Sequence, residues 1–289
     1  MLVEAAHAKL NLSLAIIGRR PDGFHGLVSL VAPLDLADVL SLEPGRPLGL
    51  TCDDATLPAD GANLVLKAAA AYAVRRPAAP AGHFHLAKRV PHGAGLGGGS
   101  SDAAAALRLL DRLSGEPLGS AALEEIAADV GSDCPFFVHG EAVVMRGRGE
   151  RLEPLPPTAR AALAGRRVVV VKPPFGVPTP EAYGLFARSG VCRSVASVET
   201  ALGAWLAAPA GDPSALGNDL AAPVFAKYVA LPAGLAAFGR LSGSSWRMTG
   251  SGSACFAFVD EGFDLAGLRA EMRRTWGPGA WSELTRISA

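Results

Sequence analysis

Between Val90 and Leu107 the chain reads VPHGAGLGGGSSDAAAAL, and few local folds can accommodate such a run. Five glycines, Gly93, Gly95, Gly97, Gly98 and Gly99, lead into Ser100 and Ser101, and the composition predicts a helix over 101–113. Glycine permits turns closed to other residues. A helix start leaves N–H groups unpaired at the positive end of its dipole. A proline, a glycine loop and a helix headed by hydroxyls therefore form a phosphate cradle. The loop lacks the lysine that a Walker loop (G-x-x-x-x-G-K-[ST]) would carry, so the catalytic charge has to come from elsewhere in the chain.

The whole chain narrows the possibilities. Its 289 residues suit one large domain or two ordinary ones. Hydrophobic residues make up 49% and charged residues 19%, enough for a sizeable core. The balance of 27 basic against 27 acidic residues argues against a nucleic-acid footprint but leaves room for a local positive pocket. Cys52, Cys134, Cys192 and Cys255 are dispersed, without C-x-x-C or zinc spacing, as expected of a reducing compartment. With no signal-like N-terminus and no apolar run of membrane-spanning length, the expectation is a soluble cytoplasmic protein without a membrane, nucleic-acid or protein partner.

Alternation of Leu10, Leu12, Leu14 and Ile16 predicts a strand over 4–17, with Lys9 and Asn11 on its polar face. Further strands are expected at 27–34, 39–42, 48–51, around Phe84–Val90, and at 136–138, 142–145 and 168–171. Helices are expected at 63–73, 123–130, 195–206 and 216–228, with a strand–turn–strand over 246–259. The proline-rich stretch 152–167 is the expected boundary between two α+β halves.

Several short segments have both a structural and a chemical reading. Asp133-Cys134-Pro135 is a helix cap with proline in the first turn, or a carboxylate presented for catalysis. Asp102 reads as a partner for the helix dipole. Thr249-Gly250-Ser251-Gly252-Ser253 reads as a hairpin turn or as a second glycine cradle.

Taken together these segments resemble the GHMP kinases, whose second motif wraps the ATP phosphates without a Walker lysine. The resemblance is carried by the glycine loop and by Ala8-Lys9-Leu10-Asn11-Leu12, Asp22-Gly23-Phe24-His25, Gly131-Ser132-Asp133-Cys134-Pro135-Phe136-Phe137, Pro178-Thr179-Pro180 and Thr249-Gly250-Ser251-Gly252. They fall in family order along almost the whole chain. The resemblance implies a two-domain α+β fold, with a domain like ribosomal protein S5 domain 2 over 1–155 and a ferredoxin-like domain over 156–289. It places the active site between them.

The same resemblance implies ATP with Mg²⁺, and a site assembled as follows. Pro91, His92, Gly93, Ala94, Gly95, Leu96, Gly97, Gly98, Gly99, Ser100 and Ser101 hold the phosphates, and Asn63 and Lys88 border the adenine. Asp133 is the base and Lys9 its partner. Asn11, Phe24, His25, Thr179, Tyr183, Gly250, Ser251 and Gly252 hold the acceptor. Ser100 and Ser101 are the candidate metal ligands, which the sequence does not identify further.

Phe24-His25 and Gly131–Phe137 fit the member acting on a cytidine diphosphate sugar alcohol better than the homoserine or mevalonate members. A nucleotide-binding sensor without activity is the other alternative, against which Lys9 and Asp133 both speak. His92 stands where relatives carry an apolar residue. Gly217-Asn218-Asp219-Leu220 echoes a family segment and is given no role beyond local structure.

Overall fold

The computed structural model describes residues 1–19, 23, 25–77, 82–189, 192–209 and 213–288. Phe24 and the turn at Arg20–Asp22 lie outside the described residues. Two strands open the chain, β1 (Leu2–Asn11) and β2 (Ala15–Arg19), where the alternation predicts one. The break has a plain cause. Leu12 N and Ser13 N both donate to Leu30 O, at 2.8 and 3.3 Å, and Leu14 N turns to Gly217 O at 2.9 Å.

β3 (His25–Pro44) runs unbroken through two predicted strands. Leu30, Val31, Ala32 and Leu34 are all fully buried, and the exposed Asp35 does not interrupt the strand. β4 (Gly49–Cys52), α1 (Leu64–Arg75) and β5 (Gly82–Ala87) follow, then α2 (Gly98–Leu113), α3 (Ser120–Val130) and α4 (Cys134–His139). The predicted strand at 136–138 is the helix α4. Pro135 occupies its first turn and Gly140, at φ +80°, ends it. An apolar run buried on all sides gives no periodicity by which helix and strand could be told apart.

β6 (Val143–Gly147), β7 (Arg151–Pro154), α5 (Pro157–Leu163), β8 (Arg167–Lys172), α6 (Thr179–Ser189) and α7 (Val195–Ala207) come next. A 3₁₀ turn and α8 (Ala221–Lys227) replace the long helix predicted at 216–228. α9 (Ala230–Ser242), β9 (Arg247–Met248), β10 (Cys255–Phe258), α10 (Leu265–Trp276) and β11 (Trp281–Arg286) complete the chain. No single described helix is long and apolar enough to cross a membrane.

The chain divides into two compact units. The first comprises 1–9, 36–91 and 97–141, and the second 10–35, 92–96 and 142–289. In the first, β5 pairs antiparallel with the Val39–Pro44 half of β3 and parallel with β4. Helices α1 and α2 bury Val65, Ala68, Leu107 and Leu110, and Tyr72 OH donates to Asp111 Oδ1 at 2.9 Å.

In the second unit, the Leu27–Val31 half of β3 pairs with β6, and β6 with β7. A separate four-stranded sheet has the order β11-β8-β10-β9. Its strand sequence, one strand, helices, a hairpin-like pair, a helix and a last strand, is the split βαβ pattern expected of a ferredoxin-like half. Val169, Val171, Phe186, Leu231, Phe238 and Trp276 form its core.

Candidate active site

The helix after the glycine loop begins three residues earlier than composition predicts. Gly97, at φ +73°, is the N-cap of α2, and Ser101 N is the first amide to find a carbonyl, Gly97 O at 2.9 Å. The N–H groups of Gly98, Gly99 and Ser100 therefore have no backbone partner among the described residues. Three amides facing one way at a helix start form an anion site. A side chain would crowd this start: a Cβ on Gly97 would lie 2.5 Å from Phe137 Cζ, and one on Gly98 3.1 Å from Val90 Cγ1.

The earlier start also moves Asp102 past the first turn, beyond the reach of the dipole. Its carboxylate meets Lys88 instead. Lys88 Nζ donates to Asp102 Oδ2 at 2.8 Å and to Asp38 Oδ2 at 2.5 Å, all three side chains being buried. Asp38 Oδ1 accepts from Arg89 N and Val90 N at 2.5 and 2.8 Å. One ionic cluster thus ties the residues before the loop to the helix after it. Burial opposes the Lys88 charge, but Asp102 and Asp38 outweigh it and raise its pKa. Burial pushes Asp102 up to about 7, against the pull of Lys88.

Asp133 occupies the N-cap position of α4, yet its side chain makes no capping hydrogen bond. Its Oδ2 lies 3.5 Å from Lys9 Nζ, with Lys9 7% and Asp133 40% exposed. The carboxylate is accessible and has a buried ammonium of opposite charge beside it. The neighbouring Cys134 is no rival nucleophile, because burial pushes its thiol up to about 11. Lys9 also borders the loop exit, its Cγ lying 3.1 Å from where a Cβ on Gly97 would stand.

Asn63 caps α1: its Oδ1 accepts from Val65 N at 3.0 Å, and its Nδ2 donates to Pro58 O at 2.7 Å. Ser101 Oγ and Asp102 Oδ1 are buried without a hydrogen-bond partner among the described residues. No group of three or more metal-ligating His, Cys, Asp or Glu occurs among those residues. That donor set fits Mg²⁺, which takes one or two protein oxygens and completes its shell with phosphates and water.

The second unit holds the rest of the loop and the residues expected to meet the acceptor. Ala94 and Leu96 are buried, Ala94 O accepts from Ala254 N at 3.0 Å, and His92 and Gly93 are exposed. Asn11 N donates to Thr249 Oγ1 and Asn11 Nδ2 to Ser29 Oγ, both at 2.8 Å. Thr179 Oγ1 and Ser251 Oγ are 3.0 Å apart. The rings of His25 and Tyr183 stack at 5.4 Å and 29°. They are already in contact, so a third ring would lie on a face of the pair rather than between them.

The GHMP kinases N terminal domain model matches residues 63–141. A 4-diphosphocytidyl-2-C-methyl-D-erythritol kinase of Methylobacterium radiotolerans is 41% identical over 97% of each chain. The chain belongs to the 4-diphosphocytidyl-2-C-methyl-D-erythritol kinase family. A crystal structure of such a kinase, 34% identical, covers 99% of both chains with a TM-score of 0.78. The mevalonate kinase of Methanococcus jannaschii is 11% identical with a TM-score of 0.71 over 100% of this chain and 98% of its own, and shares the fold. The two-domain α+β GHMP kinase architecture is that of this family.

Asp38, fully buried in this 4-diphosphocytidyl-2-C-methyl-D-erythritol kinase family chain, is not among the residues expected at the site. Its signal was present, a lone carboxylate inside the apolar run Leu36-Ala37-Asp38-Val39-Leu40, which buries only with a cation. Gly95 gives a direct test of the loop. It takes φ +77°, and a Cβ there would stand 2.7 Å from Thr249 O. Gly95→Ala is expected to raise the KM for ATP about tenfold or more, from backbone strain of about 1–3 kcal/mol. Titration of ATP in an ADP-release assay measures it, and an unchanged KM would show that the loop does not bind nucleotide in this conformation.

Proposed function

We propose that the protein transfers the γ-phosphoryl group of ATP to a hydroxyl of 4-diphosphocytidyl-2-C-methyl-D-erythritol. The observation that carries this reading is the uncapped Asp133 carboxylate beside the buried Lys9. Asp133 takes the proton as the acceptor oxygen attacks the γ-phosphorus and the bond from that phosphorus to the ADP oxygen breaks. Lys9, paired with Asp133, steadies the developing negative charge. The Gly98, Gly99 and Ser100 amides hold the phosphates, and catalysis is otherwise positioning and charge stabilisation. Bound Mg²⁺ supplies neutralisation of the triphosphate charge, and Ser101, with Ser100, would hold it through side-chain oxygens.

The remaining assignments follow the same reading. Pro91, His92, Gly93, Ala94, Gly95, Leu96, Gly97 and Gly99 shape the loop, and Asn63 and Lys88 border the adenine. Asn11, Phe24, Thr179, Gly250, Ser251 and Gly252 serve the acceptor. His25 reads the edge of the cytosine, Phe24 offers it a stacking face, and Tyr183 closes over it from the Pro178-Thr179-Pro180 segment. The division at 155/156 is the proposed domain boundary.

A coupled ADP-release assay with Mg-ATP and, in parallel, the cytidylyl acceptor, homoserine and mevalonate tests the reading. Turnover is expected on the cytidylyl acceptor alone. Tyr183→Ala should raise the KM for that acceptor about tenfold, the scale of a lost base–aromatic stack, and leave the KM for ATP in place. Turnover on homoserine or mevalonate would overturn the assignment of His25 and Tyr183.

A further inference from the structure

Gly217-Asn218-Asp219-Leu220 takes no part in the reading above, yet Asn218 grips the loop carrying Gly250, Ser251 and Gly252. Its Nδ2 donates to Met248 O at 3.0 Å and to Gly250 O at 2.9 Å, and its Oδ1 accepts from Leu220 N at 3.0 Å. The backbone on either side is pinned as well. Leu14 N donates to Gly217 O at 2.9 Å, Asp219 N to Leu14 O at 2.8 Å, and Ile16 N to Asp219 Oδ2 at 2.8 Å. At this side-chain length only asparagine combines two N–H donors with a carbonyl acceptor in one plane. Aspartate would turn a negative oxygen onto two carbonyls.

The loop needs such a grip. Gly250 and Gly252 take φ of +56° and +82°, and glycine backbone turns readily between conformations. On another side the space is closed, for a Cβ on Gly250 would meet Asn11 Oδ1 at 3.0 Å and Gly95 O at 3.2 Å. A trans peptide directs its N–H opposite to its C=O. Holding Gly250 O on Asn218 therefore turns the Ser251 N–H the other way. That N–H has no hydrogen-bond partner among the described residues, while Ser251 Oγ lies beside Thr179 Oγ1.

We propose that Asn218 is a positioning residue of the transfer reaction, orienting the Gly250–Ser251 peptide so that its N–H donates to an oxygen of the acceptor. The inference rests on the assignment of this loop to the acceptor. Asn218→Asp and Asn218→Ser are compared with the unchanged protein by ADP release, varying ATP and the cytidylyl acceptor separately, with thermal midpoints measured alongside.

At pH 8, Asn218→Asp is expected to lower kcat/KM for the acceptor about ten- to a hundredfold through a raised acceptor KM, with the KM for ATP held within about twofold. Lower pH restores part of the loss, because a protonated carboxyl can donate to one of the two carbonyls. Asn218→Ser keeps a single donor and falls between; if the aspartate variant does not fold, serine carries the same comparison. A fall in kcat with both KM values unchanged, or a lower midpoint with unchanged kinetics, overturns the proposal. If the unchanged protein does not phosphorylate the cytidylyl acceptor, the functional reading itself fails and the role of Asn218 fails with it.

Discussion

Asp133→Asn is expected to lower kcat about 10²–10⁴-fold, the usual contribution of a positioned general base. The amide has the shape of the carboxylate but cannot take the acceptor proton. Because the Asp133 side chain caps nothing, the substitution removes no hydrogen bond from α4, and the fold should be unaffected. ATP analogues should still protect the variant against heat, since ligand binding to the folded form raises its midpoint. Lys9→Met is expected to lose activity on a similar scale, by removing the charge 3.5 Å from Asp133. Single-turnover rates with saturating ATP and acceptor give the measurement. Retention of more than about a tenth of the rate in Asp133→Asn would assign the proton to another group and leave the carboxylate an electrostatic role.

Lys88→Met is expected to cost about 3–5 kcal/mol, because it strands two buried carboxylates without their cation. At this chain length that corresponds to a midpoint lower by about 5–15 °C. Asp38 is fully buried and Asp102 nearly so, and solvent cannot replace the lysine. The same cluster shapes the pH dependence. Asp102 titrates at about 7 in the folded protein, raised first by burial, against about 4 for an unfolded carboxyl. The folded state therefore holds this proton more tightly. The stability it contributes is complete below about pH 4 and is lost as the pH rises toward 7 and beyond. Asp102→Asn is neutral throughout and should flatten this part of the profile between pH 5 and 8. Thermal melts of the three proteins across that range measure both effects, and a Lys88→Met midpoint within about 2 °C of the unchanged protein would show that the cluster is not energetically closed.

Much of this was legible in the residues, and the failures have physical causes. The glycine loop, Lys9 and Asp133 stand out in the sequence because their residue types are chemically restrictive. The sequence places Lys88 at the adenine only by resemblance, and it gives no sign of the buried pairing with Asp38 and Asp102. An ion pair between Asp38 and Lys88 spans 50 positions, and no local pattern links residues so far apart. Asp102 was assigned to the helix dipole because the helix was started three residues late. Glycine has poor helix propensity, and Gly98 and Gly99 conceal a true first turn. The strand expected at 136–138 failed for a different reason, since a helix buried all round offers no alternation to read. Asn218 was passed over because its chemistry lies in carbonyls more than 25 residues further along, at Met248 and Gly250.

β3 also bears on how the protein emerges from the ribosome. Residues of the first unit are all made once Glu141 has been added, whereas the second unit already owns Leu10–Asp35 and must wait for everything after Ala142. Until then Leu27 and Val28 pair with β2, while the edge of Leu27–Val31 that takes β6 is unpaired, because β6 starts only at Val143. Leu30 and Val31, fully buried at the end, stay within reach of any other unpaired strand during that interval. Throughout that stretch of synthesis the edge of β3 that later takes β6 is open, and pairing by β6 closes it.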